Sequence, residues 1–408
     1  MNIEQIRHRF PILSTRVYGK ELVYLDNAAT SQRPEAVFEV MNALVHEGNA
    51  NIHRAVHALS SKATEAYEGT RAAVRAFLNA REASERVFTS GTTASINLVA
   101  FSFGEAFVHE GDEVIVSVAE HHSNLVPWQL MCLRKKAVLK VLDIDENGEL
   151  LVDELENLIS ERTKIVAIAQ ISNVLGVINP VREIVQKCHA HGVPVLVDGA
   201  QGVAHGALDV RAVDCDFYAF SAHKMYGATG VGVLFGKKEW LDRMPPYMGG
   251  GEMIRSVSFS GTTFADAPYK FEAGTQNFNA VPSLVPAIEF CREVAADKGL
   301  LSEMDSVKSF VLEALEAIPG LKLFGVPRRT ENKVALFSFC VEGAHHEDLA
   351  LLLDKMGVAV RSGQMCAEPL MDRLGVTGLL RASFAPYNGM EDAKRFIEAL
   401  RKAIDMLV

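Results

Sequence analysis

The sequence predicts an α/β protein, with a large unit built on a mainly parallel seven-stranded sheet and a smaller α+β unit following it. Three observations carry this prediction. From about residue 85, seven short apolar runs rich in Val, Ile and Phe alternate with longer segments of helical period, which is the pattern of βαβ units. Several runs end in polar or glycine-rich residues, such as Ser90-Gly91-Thr92, Asp198-Gly199-Ala200 and Ser221-Ala222-His223. Beyond a loop-rich stretch at 245–282, which includes Gly249, Gly250 and Gly251, the pattern changes to a mixture of strands and longer helices.

Taken in order, the expected strands are 86–89, 113–118, 138–142, 164–169, 193–197, 217–220 and 231–235, each of strand length and dominated by β-branched or aromatic residues. Helical period predicts helices at 93–103, 125–135, 152–159, 181–191 and 238–243. Ligands of open α/β sheets sit beyond the carboxyl ends of the strands, so the site should gather there. In the second part, a helical section at 286–318 leads to apolar runs at 334–341, 349–356, 359–361 and 380–384 and then to an amphipathic terminal helix. The expected division is a large unit at 17–285 and a small unit made of 1–16 and 286–408. No internal repeat or low-complexity linker separates them.

The chain has 408 residues, 41 Lys+Arg and 51 Asp+Glu, for a net charge of −10. That balance argues against a nucleic-acid binder, which needs clustered cations for phosphate. With 49% hydrophobic and 23% charged residues, the chain can bury a large core, and disorder is not expected. No run approaches the roughly 20 apolar residues of a membrane span. The opening MNIEQIRHRFPIL also lacks a signal-peptide core, so a cytoplasmic protein is expected. The six cysteines are scattered without a CxxC pair, which suggests reduced thiols and no structural metal site.

Chemistry concentrates in a few segments. In DFYAFSAHKMYG, Lys224 follows a buried strand, where desolvation lowers an amine's pKa and makes it a usable nucleophile toward an aldehyde. Taken alone, it also fits a surface lysine just past a strand. In VPVLVDGAQ, Asp198 ends another strand, as suits a carboxylate that pairs with a protonated pyridine nitrogen, though a turn or cap role fits as well. TSGTTASI places Gly91, Thr92 and Thr93 at a helix start, which favours a phosphate, and Ser221 and His223 could close the same pocket. His121 and His122 follow a strand; an imidazole there could stack on a planar ring and shuttle protons. In AVRSGQMCAEPLM, Cys366 stands in a loop of small residues, where a thiol can be exposed and mobile, and Arg361 could favour its anion.

In this order, the segments resemble the class V aminotransferase-type pyridoxal-phosphate enzymes, and within them the group II cysteine desulfurases and selenocysteine lyases. The motifs are YLDNAAT at 24–30, NIHRAVH at 51–57, TSGTTASIN at 89–97, AEHHSNLVPWQ at 119–129, SNVLG at 172–176, VDGAQG at 197–202, DFYAFSAHKMYG at 216–227, FEAGTQN at 271–277, RSGQMCAEPL at 361–370 and LRASFAPYN at 380–388. The resemblance spans nearly the whole chain and implies the fold type I of pyridoxal-phosphate-dependent transferases. It implies that Lys224 holds the cofactor aldehyde, that Asp198 partners the pyridine nitrogen, that Gln201 donates to the ring oxygen and that His121 stacks on the ring. It assigns phosphate contacts to Thr92, Thr93, Ser221 and His223, and to Thr275 from the neighbouring subunit of a homodimer. Arg381 would grip the substrate carboxylate beside Asn173, with His53 and Arg361 lining the same pocket.

The implied reaction converts L-cysteine to L-alanine, with the sulfur received by Cys366 as a persulfide and passed to an acceptor protein, as in iron–sulfur cluster assembly. Selenocysteine and cysteine sulfinate are the alternative substrates, because their leaving groups depart without help from a thiol. Met365 stands where the family generally has histidine, which bears on that choice. Ala222 and Ala228 take places where glycine and proline are more usual, and Gln276 replaces a common proline.

Overall fold

The computed structural model describes residues 2–206 and 208–408. All seven expected runs are strands of one sheet: β1 (Arg86–Thr89), β2 (Glu113–Ser117), β3 (Val138–Leu142), β4 (Thr163–Ala169), β5 (Val195–Asp198), β6 (Phe217–Ser221) and β7 (Gly232–Gly236), in spatial order β1-β7-β6-β5-β4-β2-β3. The strands from β2 to β6 pair in parallel, with Ala169 opposite Asp198 and Asp198 opposite Ala219. β7 is antiparallel to both β6 and β1. Strands β5, β6 and β7 are buried along their whole length, as expected of a sheet covered by helices on both faces.

A second sheet has four antiparallel strands, β8 (Leu321–Phe324), β9 (Leu336–Val341), β10 (Arg361–Gly363) and β11 (Leu379–Ser383), in spatial order β8-β9-β11-β10. The amphipathic helix Met390–Leu407 lays Phe396, Ile397 and Leu400 onto Phe337, Phe339 and Leu380 of this sheet. The amino-terminal segment is pinned to the same region. Phe10 meets Phe290 and Tyr387 at centroid separations of 5.3 and 4.6 Å, and Arg7 pairs with Asp392 at 2.9 Å.

Several elements differ from expectation for local reasons. The helical section at 286–318 is two helices, Leu284–Ala296 and Lys298–Glu316, because Asp297 leaves the helical region and its carboxylate accepts from the Leu300 N–H to cap the second. The stretch read as loop contains an antiparallel hairpin, Ile254–Ser258 with Gly261–Phe264; it is exposed on nearly every residue, so no buried face marked it in the sequence. Helices Glu35–Glu47 and Ala58–Leu78 precede the first strand of the main sheet. The second of these carries Arg71, whose buried guanidinium pairs with buried Glu272 at 2.7 Å; Glu272 also accepts from the Phe88 N–H at 2.8 Å. One carboxylate thereby fastens the FEAGTQN segment to β1. Among the described residues no helix is long and apolar enough to cross a membrane.

Candidate active site

The carboxyl ends of β4, β5 and β6 and the start of helix α1 (Thr92–Phe107) converge on a cavity of about 250 Å³, whose wall includes Thr92, His121, Asp198, Lys224, Cys366 and Arg381. Lys224 closes a single helical turn directly after β6, because the strand ends at Ser221 and the chain folds back toward β7. Its Nζ makes no hydrogen bond among the described residues. Burial lowers the amine's pKa, and the nearby Asp198 charge only partly opposes this. Asp198 ends β5, with Oδ1 accepting from the Ala200 N–H at 2.9 Å. Burial raises its carboxyl above the ordinary range against the pull of that bond and of Lys224.

His121 is neutral, since burial and then the Lys224 charge lower its pKa to about 3. Its Nδ1 accepts from the Ser123 N–H at 3.0 Å, which leaves the proton on Nε2. At the other end of the cavity, Thr92 Oγ1 lies 2.7 Å from Ser221 Oγ, and Thr93 Oγ1 lies 2.7 Å from Ser123 Oγ. Gly91 has φ 153°, and a Cβ at Gly232 would fall 2.4 Å from the Gly91 Cα. Two glycines thus let backbone approach backbone behind the hydroxyls, at the amino end of a sixteen-residue helix. That cradle fits a phosphate. His223 lines the same cavity with Nδ1 3.2 Å from Thr30 Oγ1, and burial lowers its pKa to about 4.

Arg381 is buried on β11. Its guanidinium donates to the Asn173 carbonyl at 2.8 Å and to Asp26 at 2.9 Å, while its Nε has no partner. A buried donor left unpaired in a cavity wall suits a carboxylate ligand. Arg361 lines the cavity too, with its guanidinium 4.0 Å from Asp26. Asn173 Nδ2 donates to the Met365 carbonyl at 2.8 Å. Met365 and Cys366 both occupy the left-handed region, with φ of 56° and 55°, and Cys366 is exposed. Cys132, Cys188, Cys215 and Cys291 are buried, and burial raises all four thiols, those of Cys188 and Cys291 to about 12. Among these cysteines only Cys366 faces the cavity.

The cavity therefore gathers Lys224, Cys366, His121, Thr92, Thr93, Asp198, Gln201, Ser221, His223, Asn173, Arg381 and Arg361. Gln201 donates its side-chain amide to the Ala28 carbonyl at 2.8 Å. Two expected site residues lie elsewhere in this chain. His53 does not line the cavity: its Nε2 pairs with Glu68 at 3.1 Å and its ring packs edge-on against Tyr67 and Tyr269, because the 51–57 loop leads directly into the helix carrying Glu68. Thr275 lines a separate cleft with Ser90, Tyr247 and Gln276. Sequence reasoning also passed over two carboxylates. Asp26, in YLDNAAT, holds Arg381 in place. Glu120, in AEHHSN, is wholly buried, accepting from Ser117 Oγ at 2.5 Å, Asn124 Nδ2 at 2.6 Å and the Ala169 N–H at 3.1 Å. It ties the His121 loop to β4, beside the strand that ends in Asp198. The signal for both was a carboxylate inside a motif otherwise accounted for.

Comparison with known proteins gives a consistent picture. Residues 23–396 match the family model Aminotransferase class-V. The chain is 46% identical over 404 residues to a probable cysteine desulfurase of Xylella fastidiosa, covering 99% of this chain and 96% of that protein. It is 42% identical over 402 residues to a cysteine desulfurase of Escherichia coli, covering 98% of each. Its structure is similar to that of the cysteine desulfurase CsdA from Escherichia coli, with a TM-score of 0.91 and 41% identity over the whole of both chains. It is also similar to an apo cysteine desulfurase from Thermococcus onnurineus, with a TM-score of 0.92 and 35% identity over 99% of this chain and 98% of that one.

Proposed function

The chain belongs to the aminotransferase class-V family, and we propose that within it this protein is a pyridoxal-phosphate-dependent cysteine desulfurase, converting L-cysteine to L-alanine with the sulfur received by Cys366. The observation that carries the reading is a desolvated, half-buried lysine amine and a buried aspartate sharing one cavity with an exposed thiol. Pyridoxal phosphate, when bound, supplies an electron-withdrawing ring into which charge on the substrate α-carbon spreads. Lys224 would hold its aldehyde carbon, Asp198 its ring nitrogen, Gln201 its ring oxygen, and Thr92, Thr93, Ser221 and His223 its phosphate, with His121 against the ring face.

Arg381 orients the substrate through its carboxylate, with Asn173 and Arg361 beside it. Lys224, already biased toward the free base by desolvation, removes the α-proton. The Cys366 thiolate attacks the substrate sulfur; the Cβ–S bond breaks with its electron pair on carbon, a new S–S bond forms on Cys366, and two protons, one equivalent to that given up by the substrate thiol and one to that taken by Lys224, return to Cβ and Cα to complete alanine. The exposed turn then presents the persulfide to a sulfur-acceptor protein, for iron–sulfur cluster or other sulfur-containing biomolecule synthesis. We read the enzyme as a cytoplasmic homodimer in which Thr275 serves the neighbouring subunit's cavity, and the chain as a large unit of 17–285 with a small unit of 1–16 and 286–408.

The test is Cys366→Ala. Sulfide release from cysteine is expected to disappear while the absorbance of the bound cofactor stays intact; undiminished release removes Cys366 from its role. A second reading rests on Met365, an apolar residue where the family resemblance leads one to expect histidine. It makes selenocysteine or cysteine sulfinate the preferred substrate, and kcat/KM on the three substrates decides between the readings.

A further inference from the structure

We propose that His122 is a positioning residue that clamps the Cys366 turn, so that the thiol meets the substrate sulfur at a fixed distance. The proposal rests on the desulfurase reading and adds a residue that lies outside the cavity wall. Two consecutive non-glycine residues in the left-handed region form a turn that persists only when its surroundings over-determine it. On one side the Asn173 amide holds the Met365 carbonyl at 2.8 Å. On the other, His122 holds the turn twice. Its backbone N–H donates to the Cys366 carbonyl at 2.8 Å, and its Nε2 accepts from the Glu368 N–H at 3.3 Å.

The second bond has a clear local cause. Glu368 opens the helix Glu368–Leu374, and the residue at the cap position is Ala367, which has no side-chain acceptor. The first N–H groups of any helix lack intrahelical partners. The His122 ring takes the place of the missing cap, while His121, one residue earlier, lines the cavity. Consecutive histidines thus divide two tasks, one within the cavity and one fixing the sulfur-carrying turn.

The experiment uses the full-length holoenzyme and compares His122→Ala with His122→Gln, whose amide oxygen is an acceptor of similar reach. Deuterium uptake is followed in the peptide covering 361–374, and turnover is measured on cysteine and on cysteine sulfinate, which needs no thiol attack. His122→Ala is expected to speed exchange in that peptide and to lower kcat for cysteine about five- to tenfold, a loss of the size that removing a helix cap brings. KM for cysteine, the cofactor spectrum and sulfinate turnover stay at wild-type values, and His122→Gln recovers most of the loss. Equal falls on both substrates, or unchanged exchange in His122→Ala, overturns the clamp. A wild-type protein that fails to turn over cysteine defeats the desulfurase reading instead, and the exchange measurement still decides the clamp.

Discussion

The two walls of the cavity are built by opposite means. The wall of Lys224 and Asp198, with buried Glu120 behind it, is made of strand ends and the segments beside them in the seven-stranded sheet, and its reactivity comes from desolvation, which lowers the lysine amine and raises both carboxyls. The wall of Cys366 is an exposed turn held at its carbonyls by Asn173 and His122. Proton transfer needs a dry surrounding that holds groups near neutrality. A sulfur atom bound for another protein needs a carrier that solvent can reach. One site meets both demands by assigning them to different parts of the fold.

The most severe way to break this division is Lys224→Ala, expected to cut turnover by about 10²–10⁴-fold, the range for losing a positioned acid–base group. Rapid single-turnover measurements would show it; a variant within tenfold of wild type would mean that the buried wall does not move the proton. Less severe is Arg381→Lys, which keeps the charge but loses the planar fork shared between Asn173, Asp26 and the free Nε. KM for cysteine should rise about ten- to hundredfold with a smaller change in kcat, as for a charge-assisted bond worth about 1.5–3 kcal/mol; an unchanged KM would free Arg381 of substrate contact.

The mildest effect sharpens the buried side. Burial pushes the Glu120 carboxyl from 4.5 up to about 7, against the hydrogen bonds from Ser117, Asn124 and the Ala169 N–H. The folded protein therefore keeps a proton that the unfolded chain releases above about 4.5, so Glu120 favours folding most at low pH and loses that contribution as the pH rises through about 7. Glu120→Gln should cancel this dependence: between those pH values the melting temperature of wild type falls relative to the variant. Parallel melting curves across the window would show that Glu120 is already ionised in the fold.

The parts of the molecule legible in sequence were those written in local pattern. The central strands of the main sheet announced themselves because burial on both faces demands continuous Val, Ile and Phe, and Asp198, Ser221 and Lys224 stood out as polar residues where those runs stop. What escaped was pairing at a distance. Nothing near Asp26 says that its partner is Arg381, 355 positions away, and nothing near Glu120 names Ala169. The antiparallel setting of β7 is likewise invisible, since a doubly buried strand reads the same in either direction. His53 was placed by its motif, yet the helix beneath it offers Glu68 and turns its ring away from this chain's cavity.

The contact between Gly232 and Gly91 reaches further than local packing. Because a methyl group at residue 232 would land on the Gly91 backbone, and Gly91 itself sits at φ 153° with Ser221 Oγ 3.2 Å from where its own methyl would be, neither position can drift through alanine while the other stays put. The one strand that runs against the rest is thus a mutational lock on the anion seat, and a library randomised at both codons should return glycine at both among its active clones.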